Sequence, residues 1–310
     1  MPTEGSSEAV GRQSSVARLS VIVPTCDSAR TIAGCLRSVR AQVNTDGTPF
    51  GLEVIVVDNS STDATVVVAA QLADVVETWG PERSAQRNRG AALATAELVL
   101  FVDSDMVLEP FVCAEIVASL SVPGTGAVIV PEESFGEGFW AACRSLEKRI
   151  ALGDVRTEAA RGFRVAALRE VGAWDETLTA TEDWELTDRL ATSDWRIARI
   201  DSRLRHDEGR PTLRATFRKK RYYGQWLSLY LRRPATVATE AEAAIPGVVS
   251  RRSRLSPLRV LARPGLLLRR PDLAAGLFAL KSIDALGVGL GAAAATRERR
   301  RRAAPPRVVR

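Results

Sequence analysis

The chain has one histidine and four cysteines in 310 residues. Cys26, Cys35, Cys113 and Cys143 form no CxxC pair and do not cluster with His206. That argues against a disulfide framework or a structural zinc site and fits a reducing, cytoplasmic compartment. The opening stretch, MPTEGSSEAVGRQSSVAR, has no apolar h-region, so no secretory signal is expected and residues 1–18 read as a flexible leader. Two glycine signatures are missing as well. No GxGxxG follows the first apolar run, and the segment after it, PTCDSAR, is no glycine-rich phosphate loop. A dinucleotide-dependent enzyme and a nucleotidyltransferase both lose support. GVGLGAAAA at 287–295 has the glycines but no strand before it, and reads as a small-residue helix face.

Charge is unevenly spread. Residues 1–210 hold 21 basic and 32 acidic side chains, whereas residues 211–310 hold 22 basic and 5 acidic. An acidic catalytic part followed by a basic part that meets an anionic surface is the reading this favours. Apolar residues make up 45% of the chain, enough for a sizeable core.

Short apolar runs alternate with helical patterns. LSVIVPT (19–25), LEVIVVD (52–58), VVETW (75–79) and LVLFVDSD (98–105) read as strands. Residues 28–42, 64–73 and 83–96 read as helices between them. Such alternation predicts a parallel α/β sheet with its functional loops at the strand carboxyl ends. Asp58, Asp103 and Asp105 all fall at those ends.

If the strand persists through Asp105, Asp103 and Asp105 point the same way. Two carboxylates so placed repel unless a cation joins them, and oxygen ligands suit Mg²⁺ or Mn²⁺ bridging to substrate phosphates. A polar turn after a strand is the plain alternative. A haloacid-dehalogenase-type phosphatase also uses DxD, but on its first strand and followed by glycine; here Met106 and Val107 follow. Farther on, Thr181 is placed to N-cap a helix whose first turn holds Glu182 and Asp183. Those carboxylates serve either the helix dipole or as a general base. His206 is either an ordinary surface histidine or a metal ligand.

Several stretches together resemble a family 2 glycosyltransferase of the GT-A fold over residues 19–210. They are SVIVPTCDSARTIAGCLRSVRAQ, VIVVDNSSTDAT, AQRNRGAALATAELVLFVDSDM and LREVGAWDETLTATEDWELTDRL. Cys26-Asp27 and Gln86 depart from the usual residues at their positions. The resemblance implies a GT-A-type Rossmann-like sheet with a nucleotide-binding half (19–125) and an acceptor half (126–210). Pro24, Thr25, Asp58, Arg87 and Asp103 would then line the nucleotide site, and Asp105, Asp103 and His206 would hold Mn²⁺ or Mg²⁺. Asp183 would be the base, with Glu182 beside it on the acceptor side. The implied reaction is inverting transfer of a sugar from a nucleotide-sugar, UDP-linked as the first choice and GDP-linked as the second, to an acceptor hydroxyl. An inactive scaffold that binds nucleotide-sugar or membrane is the competing class.

The basic third is read as a helical, membrane-associating extension (211–296) and a basic tail (297–310). RPTLRATFRKKRYYGQWLSLYLRRP interleaves Arg and Lys with aromatic residues, a pattern suited to anionic membrane interfaces. The transferase motifs weigh against nucleic acid as the partner. Residues 273–295 are long enough to span a bilayer, but Lys281 and Asp284 near the middle are costly there. Helices lying on the cytoplasmic face of a membrane are therefore expected, with a lipid-linked acceptor.

Overall fold

β1 (Ser20–Thr25) and β2 (Glu53–Asp58) are almost continuously apolar because both faces of their sheet are covered. In the computed structural model, which describes residues 18–154, 157–232 and 257–303, alternate side chains sort cleanly between two cores. Val21, Val23, Val54 and Val56 face one side, against Ile32, Leu36 and Val39 of α1 (Ile32–Arg40). Ile22, Ile55 and Val57 face the other, with Leu186 and Leu190 of α7 (Glu182–Ala191) in the same core. A one-residue slip would exchange the two sets.

The other predicted elements follow in order: α2 (Thr65–Ala69), β3 (Val75–Thr78), α3 (Arg83–Leu93) and β4 (Leu98–Phe101). Beyond them lie β5 (Met106–Leu108), α4 (Val112–Ser121), β6 (Thr125–Ile129), β7 (Glu132–Phe135) and α5 (Gly138–Ala151). Then come β8 (Ala160–Arg164), α6 (Val165–Glu170), α7, β9 (Arg196–Arg199) and β10 (Leu204–Asp207). Among the described residues the main sheet runs β3-β2-β1-β4-β8-β6-β9, parallel except for β8. A second sheet, β5-β10-β7, crosses the carboxyl end of β4 and sets His206 opposite Met106. This is the α/β fold the alternation predicts.

Two expectations are corrected. The helix read over 64–73 is only α2, five residues long; its Val66–Val68 run is β-branched and resists extension. The strand read through Asp105 ends at Phe101, and the Met106 N–H donates to the Asp103 carbonyl at 2.9 Å, closing a turn. Asp103 and Asp105 are therefore not strand neighbours on one face.

The C-terminal part is helical: α8 (Leu213–Arg232), a 3₁₀ segment (Pro257–Ala262), α9 (Pro264–Arg269) and α10 (Pro271–Ala303). Pro264 and Pro271 each open a helix, where a missing N–H costs nothing. The helix α10 runs past residue 296 to Ala303, into the stretch read as tail. The leader through residue 17, residues 233–256 and residues 304–310 lie outside the described residues.

The small-residue reading of 287–295 holds. A Cβ on Gly291 would stand 2.1 Å from the Arg221 carbonyl, and one on Gly224 2.3 Å from that of Val288. Only glycine lets α8 and α10 approach so closely. Asp284 is buried and receives two hydrogen bonds from Arg144 of α5, at 2.7 and 2.8 Å. Lys281 donates to Glu147 at 2.7 Å. Burial works against the charged Glu147 carboxylate, but Lys281 and Arg144 prevail and lower its pKa to about 2. The stretch Pro271–Arg299 is long and apolar enough to cross a membrane, with a mean hydropathy of 1.6.

Candidate active site

Arg87 is the centre of the site. It lies on α3, which packs closely on β1: a Cβ on Gly90 would meet Ile22 at 2.3 Å. Gln86 fixes the helix by donating to the Thr25 and Val57 carbonyls at 2.8 and 2.6 Å. The adjacent Arg87, 1% exposed, then points at three carboxylates. It donates to Asp183 at 2.7 Å, Asp103 at 2.9 Å and Glu182 at 3.3 Å. Asp183 also accepts from Trp174 Nε1 at 3.2 Å. Trp174 stacks edge-on against Phe101 of β4, with centroids 4.3 Å apart, so the aromatic core beneath the cleft orients this carboxylate.

A second arginine completes the ring. Arg161 of β8 lies 3.4 Å from Asp103 Oδ2 and donates to Glu132 at 2.7 Å, while Lys148 donates to Glu132 at 2.7 Å. Burial alone would raise the Asp103 pKa, but Arg161, Arg87 and Arg83 outweigh it and hold the carboxyl far below the usual range. Glu182 shows the opposite balance. Burial and then the neighbouring Asp183 charge raise its pKa against the pull of Arg87 and Arg83. Arg87 Nε, Glu182 Oε2 and Thr181 Oγ1 are buried without a hydrogen-bond partner. Thr181 is at the N-cap position but makes no capping bond, contrary to expectation.

Asp105 sits apart from this cluster, 3.1 Å from His206 Nε2 across the β5–β10 pairing. Burial favours neutral His206, but the Asp105 hydrogen bond and nearby carboxylates prevail and raise its pKa. Among the described residues no group of three or more His, Cys, Asp or Glu could hold a metal ion by itself. Asp105 and His206 still fit a divalent cation as an adjacent oxygen and nitrogen, provided diphosphate and water complete the shell. Asp103 is engaged by arginines instead.

On the nucleotide side, Thr25 and Asp58 are register partners at the ends of β1 and β2, with Pro24 one step back opposite Val57. The Ser61 N–H donates to Asp58 at 2.8 Å and its hydroxyl donates to the other carboxyl oxygen. Asp58 thus caps its own turn and is buried; to meet a nucleobase it would have to yield one of these bonds. Thr25 Oγ1 is buried and unpartnered.

The sequence reading missed Arg161, Glu132, Lys148 and Trp174. An arginine within the strand segment ARGFR was the available signal for Arg161. Glu132 and Lys148 come from segments with no motif of their own, while Trp174 lies in the LREVGAWDETL stretch with no role of its own signalled there.

Residues 20–163 match the Glycosyl transferase family 2 model. Over this segment, a little under half of its length, the chain is similar to glycosyl transferase family 2. Succinoglycan biosynthesis protein ExoA of Rhizobium meliloti (strain 1021) is 24% identical over 202 residues, which is 58% of this chain and 60% of ExoA. The chain therefore spans less than two thirds of that relative. Among solved structures, the mannosyltransferase PcManGT from Pyrobaculum calidifontis, in complex with GDP-Man and Mn²⁺, has a TM-score of 0.60 at 18% identity. The match covers 92% of this chain and 88% of that one. S. aureus TarS 1–349 in complex with UDP-GlcNAc has a TM-score of 0.53 at 18% identity, covering 91% and 92% of the two chains. Both likenesses are of fold, and the fold is GT-A.

Proposed function

We propose that this protein is an inverting glycosyltransferase that moves a sugar from a nucleotide-sugar to an acceptor hydroxyl. The observation that carries the reading is the meeting of Asp103, Asp183 and Glu182 on Arg87, with Asp105 and His206 close by, at the carboxyl edge of a parallel sheet. Pro24, Thr25, Asp58 and Arg87 line the nucleotide side. Asp105 and His206 would hold Mn²⁺ or Mg²⁺, which when bound would supply positive charge against the diphosphate leaving group. The guanidinium groups of Arg87 and Arg161 lie at the same place but are already paired with Asp103, Asp183, Glu182 and Glu132, so they orient the site more than they neutralise the donor.

Asp183 accepts the proton of the acceptor hydroxyl as that oxygen attacks the anomeric carbon opposite the leaving diphosphate. Its side chain is 30% exposed, so an acceptor can reach it, and Arg87 and Trp174 aim it. Glu182, nearly buried beside it, is a positioning residue through Arg87. The PcManGT complex carries GDP-Man and the TarS complex UDP-GlcNAc, so both nucleotides remain donors to test, UDP first. The basic, apolar C-terminal helices support a lipid-linked acceptor and a place at the cytoplasmic face of a membrane.

Calorimetry tests the reading. UDP, GDP and dTDP are titrated into wild type and Asp105→Ala, with and without Mn²⁺. Metal-dependent binding of one nucleotide, lost in the variant, is expected. A folded wild type that binds none of them would overturn the proposal.

A further inference from the structure

The helix α10 is apolar on both sides, and its mid-helix charges face inward. Lys281 and Asp284 turn towards the protein, where Glu147, Arg144 and Lys220 neutralise them. Every exposed position from Ala275 to Ala294 is uncharged. Phe278, Leu286 and Leu290, exposed by 48, 55 and 48%, stand along this face with alanines, Ser282 and Gly289 between them. At a rise of about 1.5 Å per residue the stripe is roughly 29 Å long. An ordinary surface helix shows water its charges and hides its apolar side. Here the outer face is apolar as well as the inner one, which buries Leu273, Leu277 and Leu280, and the two mid-helix charges are turned inward against partners.

We propose that this outward face is a membrane-docking surface, seated in the headgroup–acyl boundary of an anionic bilayer with the helix lying in the membrane plane. It deepens the membrane part of the reading above and is independent of the transfer chemistry. Three observations choose the occupant. The helix cannot span a bilayer as packed, because its inner side rests on α8, where Arg218, Lys219 and Arg221 are exposed, and on the charged residues of α5. The α8 backbone at Arg221 packs against Gly287 and Gly291, so α8, with Arg218, Lys219 and Arg221 exposed, runs alongside α10 as a basic flank. That flank complements anionic headgroups, whereas a two-fold contact with a second copy would oppose like charges. Finally, Leu268 of α9 is 80% exposed beside Arg269 and Arg270, a further apolar anchor with cations next to it.

Vesicle flotation of the full chain tests the assignment, with phosphatidylcholine alone and phosphatidylcholine mixed with phosphatidylglycerol. The variant is Phe278→Gln, Leu286→Gln and Leu290→Gln together; all three side chains are exposed, and nucleotide binding checks that the fold is kept. Wild type should float with the anionic vesicles, less so at high salt, and alkaline carbonate should release it. The triple variant should lose vesicle affinity on the order of 100-fold, about what three half-buried apolar side chains contribute. Equal flotation of variant and wild type would overturn the proposal, as would failure of wild type to bind either vesicle. Carbonate-resistant insertion would refute the in-plane helix. A wild-type dimer in light scattering, abolished in the variant, would give the face to a second copy. Nucleotide binding without vesicle binding would sink this inference alone; vesicle binding without nucleotide binding would sink the transferase reading alone.

Discussion

Replacing Arg87 with methionine should cost far more than one hydrogen bond. The guanidinium is almost wholly buried and holds Asp183, Asp103 and Glu182 at 2.7, 2.9 and 3.3 Å. Methionine fills much of the space but leaves carboxylates packed together without their common partner. Breaking a buried pair from one side costs about 3–5 kcal/mol. Arg161 still faces Asp103 and Arg83 still lies 3.5 Å from Glu182, so the lower half of that range applies. At about 2–4 °C per kcal/mol for a domain of this class, Tm should fall by roughly 6–15 °C. The loss should also depend on pH. Glu182 has a raised folded-state pKa, so its contribution is most favourable below its unfolded pKa and is lost as pH rises through the folded value. Without Arg87 that pKa rises further, and mild acid should recover part of the lost stability. Asp103 has the opposite sign: its depressed pKa stabilises above the unfolded value and fails only in strong acid. Urea unfolding near pH 7 and pH 5, followed by circular dichroism, measures both effects. Adding Glu182→Gln to Arg87→Met should restore about 0.5–3 kcal/mol at neutral pH by removing one orphaned charge. If Arg87→Met unfolds within about 1 kcal/mol of wild type at neutral pH, the three-carboxylate clasp is not what holds this cleft.

Asp183→Asn should lower kcat by about 10²- to 10⁴-fold in a sugar-transfer assay, with little change in Tm, since a partly exposed carboxylate becomes an amide of the same shape. A variant as active as wild type would move the base elsewhere. Gly291→Val should force α10 off α8, because the atom its Cβ meets at 2.1 Å is a backbone carbonyl that cannot rotate away. Destabilisation of about 1–3 kcal/mol or more is expected, read as new protease cleavage in α10 with unchanged nucleotide binding. Unaltered protease resistance would mean the two helices do not cross there.

The sheet was legible because its signal is local. β1 and β2 are apolar runs that end in turn formers, and the residues between them carry a helical period; no distant residue is needed to see it. The location of the site was legible for the same reason, since Asp58, Asp103 and Asp105 stand at strand ends. Its internal wiring was not. Arg87 and Asp183 are 96 positions apart and His206 and Asp105 are 101 apart, and only the folded sheet shows which carboxylate meets which cation. The DxD spacing suggested a shared direction, but a backbone hydrogen bond made a turn and sent the two aspartates to different partners. The C-terminal helix hid its sides for a related reason. Apolar residues surround it almost evenly, so apart from the glycines that pack on α8, the positions of Arg144, Glu147 and Lys220 decide which side faces inward.

The charge balance of the cleft connects the wiring to the chemistry. Asp103, Asp105, Glu132, Glu182 and Asp183 stand against Arg83, Arg87, Lys148 and Arg161, a carboxylate more than the permanent cations. Burial first, and then the neighbouring Asp183 charge, raises the Glu182 pKa within this cluster. A nucleoside diphosphate adds more negative charge to the same space. Arg87 and Arg161 cannot offset it freely, because each is already committed to carboxylates. If further positive charge has to come with a donor, Asp105 and His206, which pair with each other rather than with an arginine, are the groups placed to hold it. This is why the nucleotide titration should depend steeply on divalent metal and why Asp105, rather than Asp103, is the residue whose loss should abolish that dependence. Asp103→Asn would instead relax Arg87 and Arg161, and nucleotide binding should survive it with a weaker requirement for metal.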